Sequence, residues 1–215
     1  AIRLLSGLSG DTAQGLLMSA AAKSGDTVAE QKAAEHLILN GQPKYWTYML
    51  AGADATRGLK DHQTLDIARL RLLTGNMRNA EDYQLAAELA IQFGLPTEAA
   101  AIAQKGVEAK LLGDARSQRL VGLAQASAAK DAANLANTTK AANAAKSGDP
   151  LVKLGEDLTG MGKATDAVNA IQAGIKKGVT DANDAQMRLG QAYLAAGQKS
   201  DAISAFGAVK GDPKA

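Results

Sequence analysis

The pattern that most constrains this chain of 215 residues occurs twice in its last third, with a constant spacing of 35 positions. Leu154-Gly155 in the first copy corresponds to Leu189-Gly190 in the second. Four further pairs keep the same spacing: Leu158 with Tyr193, Gly162 with Gly197, Ala167 with Ala202, and Ile171 with Phe206. A fixed period of this length is typical of folds in which one small structural unit stacks on the next.

Each copy of the pattern is predicted to be a pair of antiparallel helices, A and B. The glycine after leucine lets helix A approach its partner closely, and the second glycine ends helix A because it adopts the left-handed C-cap conformation. The alanine is expected where helix B crosses helix A. The residue one turn later, Ile171 or Phe206, fills the gap between neighbouring pairs. One pair cannot bury its own apolar face, so the pairs must stack.

Composition favours helix along the whole chain. Hydrophobic residues make up 46% of the sequence but aromatic residues only 3%, so alanine and leucine must provide most of the packing. Alanine has the highest helix propensity, and β-branched residues do not alternate as a half-buried strand requires. We therefore predict an all-α fold.

The repeated pattern resembles the tetratricopeptide repeat family. The last copy matches that family at Leu189, Gly190, Tyr193, Gly197, Ala202, Phe206 and Pro213. The preceding copy has Leu158 at the aromatic position and lacks the final proline. The resemblance implies a right-handed superhelical solenoid of stacked helix hairpins.

Weaker copies extend the pattern upstream, to about six hairpins of roughly 34 residues each. The first has Leu17, Gly25 and Ala33 at the positions of the pattern, with Gly25 at the end of helix A. We divide the chain into degenerate hairpins over 1–79, degenerate repeats over 80–147 and two well-matched repeats over 148–215, expected to form one continuous solenoid. Residues 114–147 are interpreted as one hairpin. The copy that starts near Trp46 has an inter-helix loop, 55–62, longer than the family norm.

Two local signals support the hairpin that contains Tyr83. Ala86, Ala87, Gly94, Ala99 and Ala103 follow Tyr83 in the order that the repeat requires. Pro96 is placed at the start of helix B, where proline is favoured, and Thr97 is proposed as its cap.

Charge and residue types argue against several function classes. The net charge is +2 with both signs interspersed, so no basic stripe indicates nucleic-acid binding. The apolar runs are too short for a membrane span. The chain has no cysteine, and His36 and His62 lack partners at metal-ligand spacing. We expect no enzyme activity, no cofactor and no bound metal.

An aromatic and arginine patch is the first candidate binding site. Tyr45, Trp46 and Tyr48 bring together three of the seven aromatic residues of the chain. Arg69 and Arg71 are nearby in the sequence and, two positions apart on a helix, are not expected both to face the core. Aromatic and arginine side chains dominate protein-binding surfaces. The alternative is that Trp46 packs between hairpins as an ordinary core residue.

The family resemblance implies a second candidate site, the concave groove lined by helix A. The positions carried over to this groove also include Ile91, Val152, Thr159 and Leu194, and the candidate contacts among them are Gln84, Glu88, Gln92, Glu156, Met187 and Gln191. The set lacks the lysine, arginine and asparagine side chains that would clamp a terminal carboxylate. We therefore do not predict a receptor for C-terminal tails.

The leading hypothesis is a non-catalytic scaffold that binds a protein or peptide in the groove or at the aromatic patch. The second is a structural subunit or positioning module of a larger cell-envelope assembly. A third places a catalytic domain in a segment outside these residues.

A looser resemblance of Pro43-Lys44-Tyr45-Trp46 and 66–72 to exported bacterial tetratricopeptide proteins favours the periplasm, with the cytoplasm as the alternative. Because no polar capping helix follows Phe206, we expect more protein beyond Ala215.

Overall fold

The structure, a computed structural model, describes residues 2–54, 56 and 58–211, apart from the side chain of Asp54. These residues form twelve α-helices and a short 3-10 turn, and they contain no β-strand. The all-α prediction is therefore confirmed for the described part of the chain. Two compact units divide the chain at residues 82 and 83.

The first unit is built on the packing of its second and third helices. Their buried contact consists of Leu17, Met18, Ala33 and Ala34, and Gly25 between them has a left-handed φ of 73°, as predicted for the end of helix A. The helices of this unit are α1 (Ile2–Leu5), α2 (Asp11–Ser24), α3 (Thr27–Leu39), α4 (Trp46–Asp54) and α5 (Asp61–Thr74), with the 3-10 turn Pro43–Tyr45 before α4. Helix α6 (Ala80–Gln92) begins at the boundary with the second unit.

The second unit continues as pairs of helices around one long helix. Its elements after α6 are α7 (Pro96–Glu108), α8 (Ala115–Ala144), α9 (Asp149–Gly160), α10 (Ala164–Lys177), α11 (Ala182–Ala195) and α12 (Lys199–Gly207). Helices α9 and α10 pack together, as do α11 and α12, and α11 also packs against α9 and α10. Each helix of the last four thus contacts its partner or the next pair.

The two C-terminal hairpins have equivalent contacts at the repeated positions, and the glycine of helix A approaches helix B closely, as predicted. Ile171 and Phe206, expected between neighbouring hairpins, contact the glycine of their own hairpin. A Cβ on Gly155 would lie 2.3 Å from Ile171 Cγ1, and a Cβ on Gly190 would lie 2.5 Å from the Phe206 ring. The two alanines of the helix crossing, Ala167 and Ala202, are buried. Both turns use a left-handed glycine, Gly162 at a φ of 72° and Gly197 at 74°. Pro213 lies outside the described residues.

The hairpin predicted over 114–147 is wrong. This segment forms the single helix α8 of 30 residues, about 45 Å long at 1.5 Å per residue. Its start is fixed by the Asp114 side chain, which accepts hydrogen bonds from the backbone N–H groups of Arg116 and Ser117. No glycine or proline occurs between Gly122 and Gly148 to end the helix, and the intervening alanines favour its continuation.

The hairpin of α6 and α7 follows the predicted pattern at its core. Tyr83 is buried, and Gly94 has a left-handed φ of 65° at the turn; the alanines at the other predicted positions, Ala86, Ala87, Ala99 and Ala103, are also buried. Pro96 is the first residue of α7, as predicted, but the capping role of Thr97 is wrong. Leu95 occupies the N-cap position and makes no side-chain capping bond.

Helices α4 and α5 correspond to the copy of the pattern that starts near Trp46. Leu50 and Leu65 are buried, and His62 lies in the first turn of α5. Positions 55 and 57 of the predicted long loop lie outside the described residues. Among the described residues, no helix combines the length and the apolarity needed to cross a bilayer.

A substitution at Gly155 tests whether close approach of helices holds the C-terminal hairpins together. The added methyl of Gly155→Ala would lie 2.9 Å from the backbone oxygen of Ala167. Overpacking costs about 1–3 kcal/mol, which exceeds the gain of up to about 1 kcal/mol from alanine's helix propensity. We expect the free energy of unfolding in urea, followed by circular dichroism, to fall by about 1–2 kcal/mol.

The matched control is Gly122→Ala in α8, where a Cβ would meet no atom within 4 Å. This change should raise the free energy of unfolding by about 0.5–1 kcal/mol, since alanine loses less backbone entropy on folding than glycine and makes no new contact here. If both substitutions stabilised the protein equally, the proposed close contact at Gly155 would be refuted.

Candidate functional site

The aromatic cluster lies at the junction of the 3-10 turn and α4. The Tyr45 and Tyr48 rings are 6.0 Å apart between centroids and tilted by 38°. The Lys44 ammonium group lies 5.0 Å from the centroid of the Tyr45 ring, within range of a cation–π interaction. Tyr48 is 47% exposed, whereas Tyr45 and Trp46 are half-buried. One tyrosine face and one cation are therefore available at this surface.

The two arginines assigned to this patch are covered. Arg71 is 5% exposed, and the side chain of Arg69 is 12% exposed. Arg69 donates a hydrogen bond of 2.8 Å to Asp66, one turn earlier on α5. Arg69 is therefore held by a contact within its own helix and need not point into the core. Neither guanidinium group adds an exposed charge to the patch.

The predicted groove residues of α6 contact the start of α8. Gln84 donates a hydrogen bond of 2.9 Å to the hydroxyl of Ser117. Glu88 is exposed and lies 3.6 Å from Arg116. Gln92, at the end of α6, is exposed. Gln84 and Glu88 are thus engaged within the unit.

The predicted groove residues of α9 and α11 surround a buried arginine. Arg188 is 2% exposed, and its Nε lies 3.5 Å from the carboxylate of Glu156 on α9. It also donates hydrogen bonds to Asp184 at 2.9 Å and to Gln191 at 3.0 Å. Met187 is half-buried beside it in the sequence. This network connects helix A of one hairpin to helix A of the next.

A crevice with four carboxylates lies where α7, α8 and α9 meet. Its acidic residues are Glu98, Asp131, Glu156 and Asp157, and it has no room for a water-sized molecule. Burial raises the pKa of Asp157 to about 6, although Lys153 bonds to the same carboxylate and opposes the shift. Asp131 and Glu156 raise it further through charge repulsion.

The two histidines lie apart from this crevice in sequence. His36 is half-buried, and its Nε2 lies 2.9 Å from the side-chain nitrogen of Asn40 and 3.9 Å from a carboxylate oxygen of Asp11. His62 is half-buried in the first turn of α5. Within the described ranges, no group of three or more histidine, aspartate or glutamate side chains has the arrangement of a metal site.

Sequence reasoning missed Arg188 and Asp157. A signal for both was present, because a basic residue directly precedes Leu-Gly in each repeat: Lys153 in the first and Arg188 in the second. Each has an aspartate one turn away on its own helix, Asp157 and Asp184 respectively. A basic residue beside the close-packing glycine is therefore a candidate for an ion pair along helix A, which for Arg188 extends to Glu156 of the preceding hairpin.

Comparison with known proteins adds no family assignment. No protein-family model matches the sequence, and no curated protein matches it. The resemblance to tetratricopeptide repeats stays a prediction that rests on the residues of the two C-terminal hairpins.

Removal of the Arg188 guanidinium should destabilise the second unit strongly. Arg188→Met takes the cation away from buried Glu156, and breaking a buried ion pair costs about 3–5 kcal/mol. Urea unfolding should show a loss of about 3 kcal/mol or more. Much of that loss should be recovered in the double variant with Glu156→Met, because the uncompensated carboxylate is then also removed.

Arg116→Met is the matched control, since Arg116 pairs with exposed Glu88. An exposed pair contributes at most about 1 kcal/mol. Equal losses from Arg188→Met and Arg116→Met would contradict a structural role for the buried network.

Proposed function

We propose that this chain is a non-catalytic scaffold for protein–protein interaction, folded as a right-handed, tetratricopeptide-like solenoid. Support for the solenoid comes from the last four helices, where glycine, alanine and large apolar residues make the same contacts at a spacing of 35 positions. Function in such a fold resides in surface side chains and not in the repeat itself. The binding site must therefore be argued from exposed residues.

The observation that carries the proposal is the ordered cluster of Lys44, Tyr45 and Tyr48. Tyr48 presents a large exposed surface, and its ring is held beside Tyr45, which also contacts the Lys44 ammonium group. Tyrosine loses little conformational entropy on binding and is enriched among residues that dominate interface energy. We assign the primary partner site to this cluster, with a protein or peptide as the partner.

The groove on α9 and α11 is the second candidate for the same partner. Its polar side chains Glu156 and Gln191 already bond to Arg188, so a ligand would have to compete with these contacts. Met187 remains as a half-buried apolar contact. The aromatic cluster requires no such exchange of partners, and for that reason it is preferred.

A structural role in a larger cell-envelope assembly is the alternative function. The observation that favours it is the exposed apolar surface of the last hairpin, where Ile203 is 73% exposed. The same hairpin has a groove of about 230 Å³ lined in part by Leu189, Tyr193 and Ala205. Exposed apolar patches often mark interaction sites. Binding at this surface would be independent of Tyr48.

Selection from a random peptide library displayed on phage tests the primary site. The immobilised wild-type chain should enrich specific peptides, and Tyr48→Ala should weaken their binding by about 30-fold, the loss expected for a residue that dominates an interface. Binding of the enriched peptides is measured by fluorescence anisotropy. Met187→Ala, measured in parallel, reports on the groove.

Leu85→Ala is the matched control, because Leu85 is 49% exposed on another helix. It should leave the affinity unchanged. Failure to enrich any peptide would contradict the scaffold proposal. Enriched peptides that bind equally to wild type and Tyr48→Ala but lose affinity for Met187→Ala would move the site to the groove.

A further inference from the structure

The carboxylate crevice lies against the middle of the long helix α8. This helix packs against α7 and α9, and Asp131 lies near its midpoint. Glycine at position 160 permits the close approach of α9 to α7, since a Cβ there would lie 3.3 Å from the Cβ of Glu98. Three helices thus meet at one tightly closed point that carries four acidic groups.

More acidic than basic side chains surround Asp157. On its own helix it contacts Lys153, which also donates a hydrogen bond of 2.8 Å to the backbone oxygen of Gly94. Asp131 faces it from α8, and Glu98 from α7. The neighbouring Glu156 is paired with Arg188 of α11.

Other charged residues of the helices packed on α9 do not line this crevice. Asp184 of α11 bonds to Arg188. On α7, the charged residues after Glu98 are exposed, and so is the charged neighbour of Asp131 on α8. The charged residues of α10 are exposed as well. These residues are Lys105 and Glu108 on α7, Lys130 on α8, and Asp166, Lys176 and Lys177 on α10. Within the described part of the chain, Lys153 is therefore the basic group that bonds to the Asp157 carboxylate and opposes its negative neighbours.

We propose that this crevice is a proton-sensitive joint, which holds the middle of α8 against α9 at acidic pH and loosens it as the pH rises. In the closed joint, a protonated Asp157 removes its repulsion from Asp131 on the facing helix. Loss of that proton leaves a buried charge on Asp157, with Asp131 as a like-charged neighbour on the facing helix. Separation of α8 from α9 restores solvent to Asp157 and moves Asp131 away from it.

The direction follows from the pKa of Asp157. Its pKa of about 6 in the closed joint is higher than the ordinary aspartate value of 3.8 that it regains when exposed. The closed joint is therefore fully favoured below the exposed pKa and loses this advantage as the pH rises through about 6. From about pH 5 to about pH 7.5, this linkage increases the opening constant about tenfold.

Amide hydrogen exchange of the full chain, read by mass spectrometry, measures the opening directly. Peptides around Asp131 in α8 are compared at about pH 5 and about pH 7.5, after correction for the intrinsic pH dependence of exchange. Protection of this segment should fall about tenfold at the higher pH. Protection of α12, far from the crevice in sequence, should not change.

Two neutral variants make the test specific. Asp157→Asn should abolish the pH dependence, and Asp131→Asn should reduce it, because each removes one of the two opposed charges. Asp166→Asn, an exposed aspartate of α10, should retain the tenfold change. Equal protection of the α8 segment at both pH values in the wild type would overturn the proposal. A pH dependence that persists unchanged in both Asp157→Asn and Asp131→Asn would overturn it as well.

Discussion

Contact between a glycine on one helix and a large side chain on its partner is the constraint on which the C-terminal hairpins depend. Gly155 meets Ile171 and Gly190 meets Phe206 at distances that leave no room for a methyl group. This close approach places the buried residues Ala167 and Ala202 where the two helices of each hairpin cross. With aromatic residues at only 3% of the chain, dispersion contacts between close backbones must replace the volume that larger side chains supply elsewhere.

One apolar cluster that includes Leu154, Ile171 and Leu189 joins the two C-terminal hairpins, and charged side chains add further connections to it. Arg188 connects α11 to Glu156 of α9. Lys153 pairs with Asp157 on α9 itself and connects that helix to the backbone of Gly94, before α7. A buried ion pair adds little net stability compared with apolar packing, but it is costly to break. The same arrangement concentrates carboxylates beside α8, which is why packing and proton binding are coupled at that point.

The parts of the fold that could be predicted are those with local signals. Left-handed glycines ended the helices at Gly25, Gly94, Gly162 and Gly197 as expected, because the backbone conformation at a helix end depends mainly on the residue itself. The long helix α8 was missed because an alanine-rich segment fits a hairpin and a continuous helix equally well by periodicity. The absence of glycine and proline between 122 and 148 decides between them. The candidate site was harder to predict from the sequence. The exposure of Tyr48 and the burial of Arg71 depend on neighbouring helices, which no local pattern specifies.

Nuclear magnetic resonance of the wild-type chain tests the central packing claim without any substitution. If Gly190 packs on Phe206, its α-protons should show strong nuclear Overhauser effects to the Phe206 ring protons and a marked upfield ring-current shift. The α-protons of Gly155 should show the equivalent effects to the Ile171 methyl groups, without the ring-current shift. Random-coil α-proton shifts for both glycines, with no contact to either side chain, would contradict the account.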